Sequence, residues 1–256
     1  MKTYISKGKI CIKGHYNLIY AVCDITYQLN EDDSFKYVFE PNYSVIELTD
    51  TSFFQGIPGL NLDLKKKEYI RTKIPTFISE RVPSRNREDY VELLEKVGMD
   101  YMDPIEYLIR TKEQYSGDLL FVRPFEKNKL VSFDNYKSNQ TNAALIKEML
   151  SNICLGNDIS INGQIINDEN RKTFHDIFIK LYGRSYNLNR DKQTKGIETA
   201  KKEGSFKGRK PIRVDELQFR DLLEKVEKKE ITPKEAAKKL GISIDKYYRV
   251  KNKLQN

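Results

Sequence analysis

The sequence predicts a mixed chain: an α+β N-terminal module, a helical middle segment and an all-α three-helix C-terminal domain. Three observations predict it. The first fifty residues are built from β-branched and aromatic runs broken by turn residues. From about Ile74 the apolar spacing changes from strand-like to helical. The last sixty residues hold three helical patterns in tight order and all of the net charge. The expected boundaries are 1–126, 127–194 and 195–256.

In the first module, Ile10-Cys-Ile-Lys13, Asn17–Tyr27 and Phe35–Phe39 read as strands. Lys13-Gly-His15 and Asn30–Ser34 read as the turns between them, and Asp32-Asp33 is turn chemistry. Residues 55–68, with Gly56, Pro58 and Gly59, read as a loop. A short helix is expected over Ile74–Val82, stopped by Pro83. A second, Arg87–Val97, puts Tyr90, Val91, Leu94 and Val97 on one face, with Gly98 as its C-cap. Asp103-Pro104 opens a third as N-cap and first helical residue. Gly117–Val122 reads as a further strand. In the middle segment, Asn142–Leu155 and Glu169–Tyr182 suit helices, and Tyr186–Arg190 reads as a joint.

Composition narrows the function. The 256 residues contain no apolar run near eighteen, so no membrane-spanning helix is expected, and no apolar stretch of signal-peptide length follows the basic start. A cytoplasmic location is the expectation. Cys11, Cys23 and Cys154 are odd in number and scattered, which argues for reduced, small apolar side chains rather than a disulfide framework. His15 and His175 stand apart from any ligand spacing, so neither a metal nor a cofactor is expected. No acid pair with His or Lys suggests metal-assisted hydrolysis.

Charge is the sharpest clue. Residues 195–256 carry 18 Lys+Arg and 10 Asp+Glu, the whole excess of +8, while residues 1–194 carry 27 of each. Such asymmetry suggests a polyanion-binding module, against the plainer reading of a solvated lysine-rich tail. The local pattern favours the first. Thr194–Glu203 looks helical, with Gly204 as terminator, and Ser205–Arg213 is a basic arm without apolar period. An extended Gly-Arg-Lys-Pro segment is thin enough for a minor groove. Asp215–Lys229 is a first helix, with Leu217, Leu222, Leu223 and Val226 facing inward. Thr232-Pro-Lys-Glu235 is a capping box with proline at the first helical position, and Gly241 ends that second helix. A third runs from Ser243 to about Leu254, anchored by Ile242, Tyr248 and Leu254, with Asp245, Lys246, Arg249 and Lys251 outward. Short helix, glycine turn, basic helix is the layout of a helix-turn-helix, whose last helix enters the major groove. A purely structural three-helix bundle is the alternative.

Gly196–Gly204, Lys207-Gly-Arg-Lys-Pro211, Ile231–Ser243 and Tyr247-Tyr-Arg-Val-Lys251 together resemble the DNA-binding tail of resolvase/invertase serine recombinases. The resemblance covers about 60 residues. It implies that Arg209 enters the minor groove and that Ile244, Asp245, Lys246 and Arg249 lie nearest bases or phosphates. The DNA-binding set assigned on this basis is Arg209, Lys210 and Arg213 from the arm and Ser243, Ile244, Asp245, Lys246, Tyr247, Arg249 and Lys251 from the last helix. The nucleophile-bearing strand end of that family has no counterpart in residues 1–30, and Arg184-Ser-Tyr186 is read as structural, so a recombinase is not expected.

Pro75-x-Phe77, Val82-Pro83, Arg87, Gly98, Asp103–Ile109 and Gly117–Val122 are similar to the N-terminal subdomain of HipA-type toxin kinases. The kinase body of that family is far larger than the stretch after residue 126, and neither a phosphate loop nor a paired metal-binding Asp motif is evident. That resemblance implies protein binding without phosphoryl transfer. An unrelated ligand-sensing or dimerisation domain is the alternative for this module. The expectation is therefore a non-enzymatic, sequence-specific DNA-binding regulator, an antitoxin-like repressor. Its expected partners are double-stranded DNA and a HipA-like kinase or other protein, with a second copy of the chain also open to it and no membrane. A non-catalytic accessory of a recombinase or mobile element is the second reading, and an enzyme acting on DNA the third.

Overall fold

A computed structural model describes residues 3–112, 117–134, 141–205 and 214–255. It divides into two compact units, 1–190 and 191–256. The first is mixed α+β around a five-stranded antiparallel sheet, and helices dominate the C-terminal half of the chain.

The sheet is built from β1 (Tyr4–Lys13), β2 (Ile19–Leu29), β3 (Phe35–Pro41), β4 (Tyr69–Arg71) and β5 (Phe121–Pro124), in the order β4-β3-β2-β1-β5. Adjacent strands β1, β2 and β3 are joined by the two expected turns. The β1–β2 register shifts at Ile10/Cys11, where Val22 of β2 is the extra residue, and Ile10, Cys11 and Ile12 are buried in succession. Around the sheet lie α1 (Tyr43–Ile46), α2 (Thr76–Ser79), α3 (Tyr90–Lys96) and α4 (Pro104–Thr111). Asp103 caps α4 by accepting from the backbone N–H of Ile105 at 2.8 Å and Glu106 at 2.9 Å. Helix α4 buries Ile105, Tyr107 and Leu108 on one side.

Several expectations are corrected. Helix α2 spans one turn, not Ile74–Val82, and Val91 of α3 faces outward while Leu94 is buried. The last strand of the sheet is displaced to Phe121–Pro124. Residues 127–190 are no helical connector. They contain α5 (Asn142–Cys154), β6 (Leu130–Ser132), β7 (Asp158–Ile161) and β8 (Gln164–Ile166), followed by the start of α6 (Arg171–Lys202). Strand β6 pairs parallel to β7, and β7–β8 is a hairpin. Phe133, Leu150, Ile153, Cys154, Ile159 and Ile166 share one core with the main sheet, because strands this short can bury their apolar side chains only against a larger layer. Helix α6 runs through Tyr186–Arg190, the stretch read as a joint, and the division between the two units falls at the end of that stretch.

The core contains one buried imidazole. His175 of α6 places Nε2 3.2 Å from the Tyr20 hydroxyl and Nδ1 3.4 Å from an Asp176 carboxylate oxygen. Burial lowers its pKa from the ordinary 6.5, against the opposing pull of Asp176. The unfolded chain therefore binds a proton that the folded chain resists. Stability should fall as pH drops below about 6.5, and His175→Asn should flatten that part of a pH–denaturation profile. An unchanged slope in the variant would assign the acid sensitivity to other groups.

Candidate nucleic-acid interface

The second unit has its own small core. Helix α7 (Glu216–Glu227) contributes Phe219 and Leu222, α8 (Pro233–Lys239) contributes Ala236 and Ala237, and Ile242 and Tyr247 close it from the turn and from α9 (Ile244–Gln255). Asp215 caps α7, accepting from Leu217 N–H at 2.9 Å. The capping box at α8 is complete: Glu235 N–H donates to Thr232 Oγ1 at 3.3 Å, and Thr232 N–H to Glu235 Oε2 at 2.8 Å. Those bonds hold the Glu235 carboxyl below its ordinary pKa. At the other end of α8, Ile242 N–H bonds to Ala237 O and Gly241 N–H to Lys238 O, both at 3.1 Å. Gly241 has φ +63, the left-handed residue this closure requires. Buried Ile242 then docks on the core, and Ser243 Oγ accepts from Lys246 N–H at 3.3 Å to start α9.

Two corrections concern α9. Tyr247 is 1% exposed, its ring 5.1 Å from Phe219, so it is the anchor of the helix and not a DNA contact. Tyr248, expected inside, is 47% exposed. Burial of Tyr247, Val250 and Leu254 sets the inward stripe, and a rotation of 100° per residue then turns Asp245, Tyr248, Arg249 and Asn252 to solvent. Lys246 and Lys251 lie half-buried on the flanks; Ser243 and Ile244 are exposed at the helix start. Tyr248 and Asn252 were missed, although the i, i+3, i+7 spacing from Asp245 carries them. In α7, Leu217 is 81% exposed and Phe219 takes the core position expected of it. Arg209, Lys210 and Arg213 lie outside the described residues.

Electrostatics divides the unit by element. Residues 215–230, the α7 segment, hold 4 Lys+Arg against 6 Asp+Glu, whereas residues 232–255 hold 7 against 2. Three cations of α7 are engaged by their own helix: Arg220–Glu216 at 3.1 Å, Lys225–Asp221 at 2.8 Å and Lys228–Glu224 at 2.6 Å. The Asp221 contact raises the Lys225 pKa. Among the described residues, Lys234, Lys238, Lys239, Arg249 and Lys253 have no carboxylate within ion-pair distance. Among the described residues of this unit, α8 and α9 thus carry the excess of positive charge, and Arg249 stands on the outward face of α9.

Burial pushes the Cys11 and Cys154 thiols up to about 12 and Cys23 well above its ordinary value, so none supplies a thiolate at neutral pH. Among the described residues no three His, Cys, Asp or Glu side chains gather in a way that could hold a metal ion, and no helix is long and apolar enough to cross a membrane.

Among the described residues the buried Tyr247 hydroxyl finds no hydrogen-bond partner. An unsatisfied buried hydroxyl costs about 1–3 kcal/mol. Tyr247→Phe should therefore raise stability by about 1 kcal/mol in urea denaturation. An unchanged or lowered urea midpoint would mean that the hydroxyl is satisfied in solution.

No family model, no curated protein and no solved structure matches the chain.

Proposed function

We propose that the chain is a sequence-specific DNA-binding regulator whose C-terminal unit is an all-α helix-turn-helix domain that reads DNA through α9. The observation that carries this reading is the charge division between an acidic α7, whose cations pair within their own helix, and a strongly cationic α8–α9. A merely structural bundle has no need to segregate charge in that way; a duplex, with one phosphate charge per about 1.7 Å of axis, rewards it. Arg249 can fork onto guanine O6 and N7 or onto a phosphate, and exposed Ile244 offers an apolar contact to a thymine methyl. Arg209, Lys210 and Arg213 of the arm would follow the adjoining minor groove.

For the first unit we propose a protein-binding role without catalysis, its partner a HipA-like kinase, which makes the whole an antitoxin-like repressor. The support is the motif resemblance over Pro75–Val122. Co-purification with such a kinase tests that half, and autophosphorylation by the isolated chain would sink it.

The DNA half is tested by binding titrations of the full chain on duplexes selected from a random pool. Affinity should fall with a log–log salt slope of about −0.9 per phosphate neutralised. Arg249→Ala should cost about 1–3 kcal/mol on the selected site, much less on random DNA, and leave the melting temperature unchanged. Equal losses on both DNAs would reduce Arg249 to an electrostatic anchor. DNA binding that survives removal of residues 191–256 would refute the assignment altogether.

A further inference from the structure

The first unit contains a cleft of about 770 Å³. One wall is the free end of the β2–β3 hairpin. Register pairs Tyr27 with Tyr37 and Leu29 with Phe35, and alternation along each strand turns all four side chains to the same face. The Tyr27 and Tyr37 rings lie 5.0 Å apart at 37°, with Phe35 edge-on to Tyr37 at 5.9 Å. Ile74, Ile78, Val82 and Pro83 line the cleft from the other side of the chain, so two apolar surfaces enclose it. The size falls within the range of small-molecule sites, which are typically about 300–1,000 Å³.

Two ionised side chains reach this cleft, and they are not equivalent. Asp33 sits in the hairpin turn and also lines a neighbouring 340 Å³ cleft together with Lys36, which places it at the rim beside a lysine. Arg85 is exposed and has no carboxylate within ion-pair distance among the described residues. Its charge is felt at Tyr27, where it opposes the rise that burial and Asp103 impose on the phenol. A guanidinium without a partner, next to an aromatic wall, is suited to a planar carboxylate by its two parallel N–H donors. Asn86 and Ser84 beside it add further polar groups.

We propose that this cleft binds a small planar aromatic carboxylate, with the ring between the Tyr27–Tyr37–Phe35 wall and Ile74, Ile78 and Val82, and the carboxylate on Arg85. The site makes no use of the DNA-binding unit and stands or falls separately from that reading.

Three probes of one shape and different charge test it on the full chain by calorimetry and amide chemical shifts: 2-naphthoate, 2-naphthylmethanol and 2-naphthylmethylammonium. One 2-naphthoate should bind per chain, at least about tenfold more tightly than the neutral or cationic probe. Arg85→Gln should erase that advantage and Asp33→Asn should preserve it. Ser79 is exposed and lines the cleft, so Ser79→Trp should fill it from α2 without disturbing the core and abolish binding. Preference for the cation, an Arg85→Gln variant that binds 2-naphthoate as before, or binding that survives Ser79→Trp would each overturn the proposal. Failure of all three probes to bind would overturn it as well, and would assign the cleft to another occupant.

Discussion

Arg171→Ala should destabilise the first unit by about 3–5 kcal/mol, measured as a shift of its urea midpoint. Arg171 is 1% exposed at the start of α6. Its Nη1 donates to Asn157 O at 2.6 Å and Ile153 O at 3.3 Å, and its Nη2 to Gly156 O at 3.4 Å. These carbonyls belong to the end of α5 and the residues just after it, where a helix leaves acceptors without intrahelical partners. The same guanidinium reaches Asp158 and Asp168, both at 2.9 Å, and Asp168 also accepts from the Ser44 hydroxyl at 2.7 Å. One side chain therefore ties α5, β7, α6 and α1 together. The two aspartates are 46% and 76% exposed, so water can take them back when the arginine is lost. The carbonyls and the emptied space have no such substitute, and they carry the cost. Arg171→Lys should recover less than roughly half of it, because a single ammonium cannot span the planar fork. A loss below about 1 kcal/mol for the alanine variant would mean that water or a rearranged α5 terminus replaces the network.

None of this was visible in the sequence, and the reason is physical. Arg171 stands among Asn170, Lys172 and Thr173, and reads as one more solvated helix residue. Its burial follows from a distant segment arriving above it. What was legible is what local chemistry decides. β1 to β3 followed from alternating branched and aromatic residues between polar turns. The caps at Asp103 and Thr232, and the stop at Gly241, needed only the residues within one turn of the helix end. Asn162-Gly163 shows a signal that was present and overlooked. Both residues have positive φ, +50 and +76, the conformation that a two-residue hairpin demands and that this dipeptide favours. Flanked by Ile159–Ile161 and Ile165-Ile166, it announces β7–β8 within a stretch that reads as helical at longer range. The inward side of α9 turned on one residue. The adjacent Tyr247 and Tyr248 are chemically identical, and only the position of Phe219 selects which of them is buried.

That choice makes Phe219 the second large expectation. Its side chain is fully buried, stacked on Tyr247 and surrounded by Leu222, Ala236, Ala237 and Ile242. Phe219→Ala removes the largest side chain α7 gives to the core and should cost about 3–5 kcal/mol. A unit whose small core is built from α7, α8 and α9 has little more stability than that to lose, since a single core of this size supplies roughly 3–5 kcal/mol. The variant should lose the helical amide signals of residues 214–255 and, with them, the DNA binding proposed for this unit. The first unit should still melt at its unaltered temperature, because the two cores share no residue. Leu217→Ala is the matched control. Leucine 217 was expected in the same core, yet it is 81% exposed, and its truncation should change neither melting nor binding. If Leu217→Ala unfolds the unit and Phe219→Ala does not, α7 is rotated about its axis relative to this structure. The outward assignment of Arg249, which depends on Tyr247 packing against Phe219, would then fall with it.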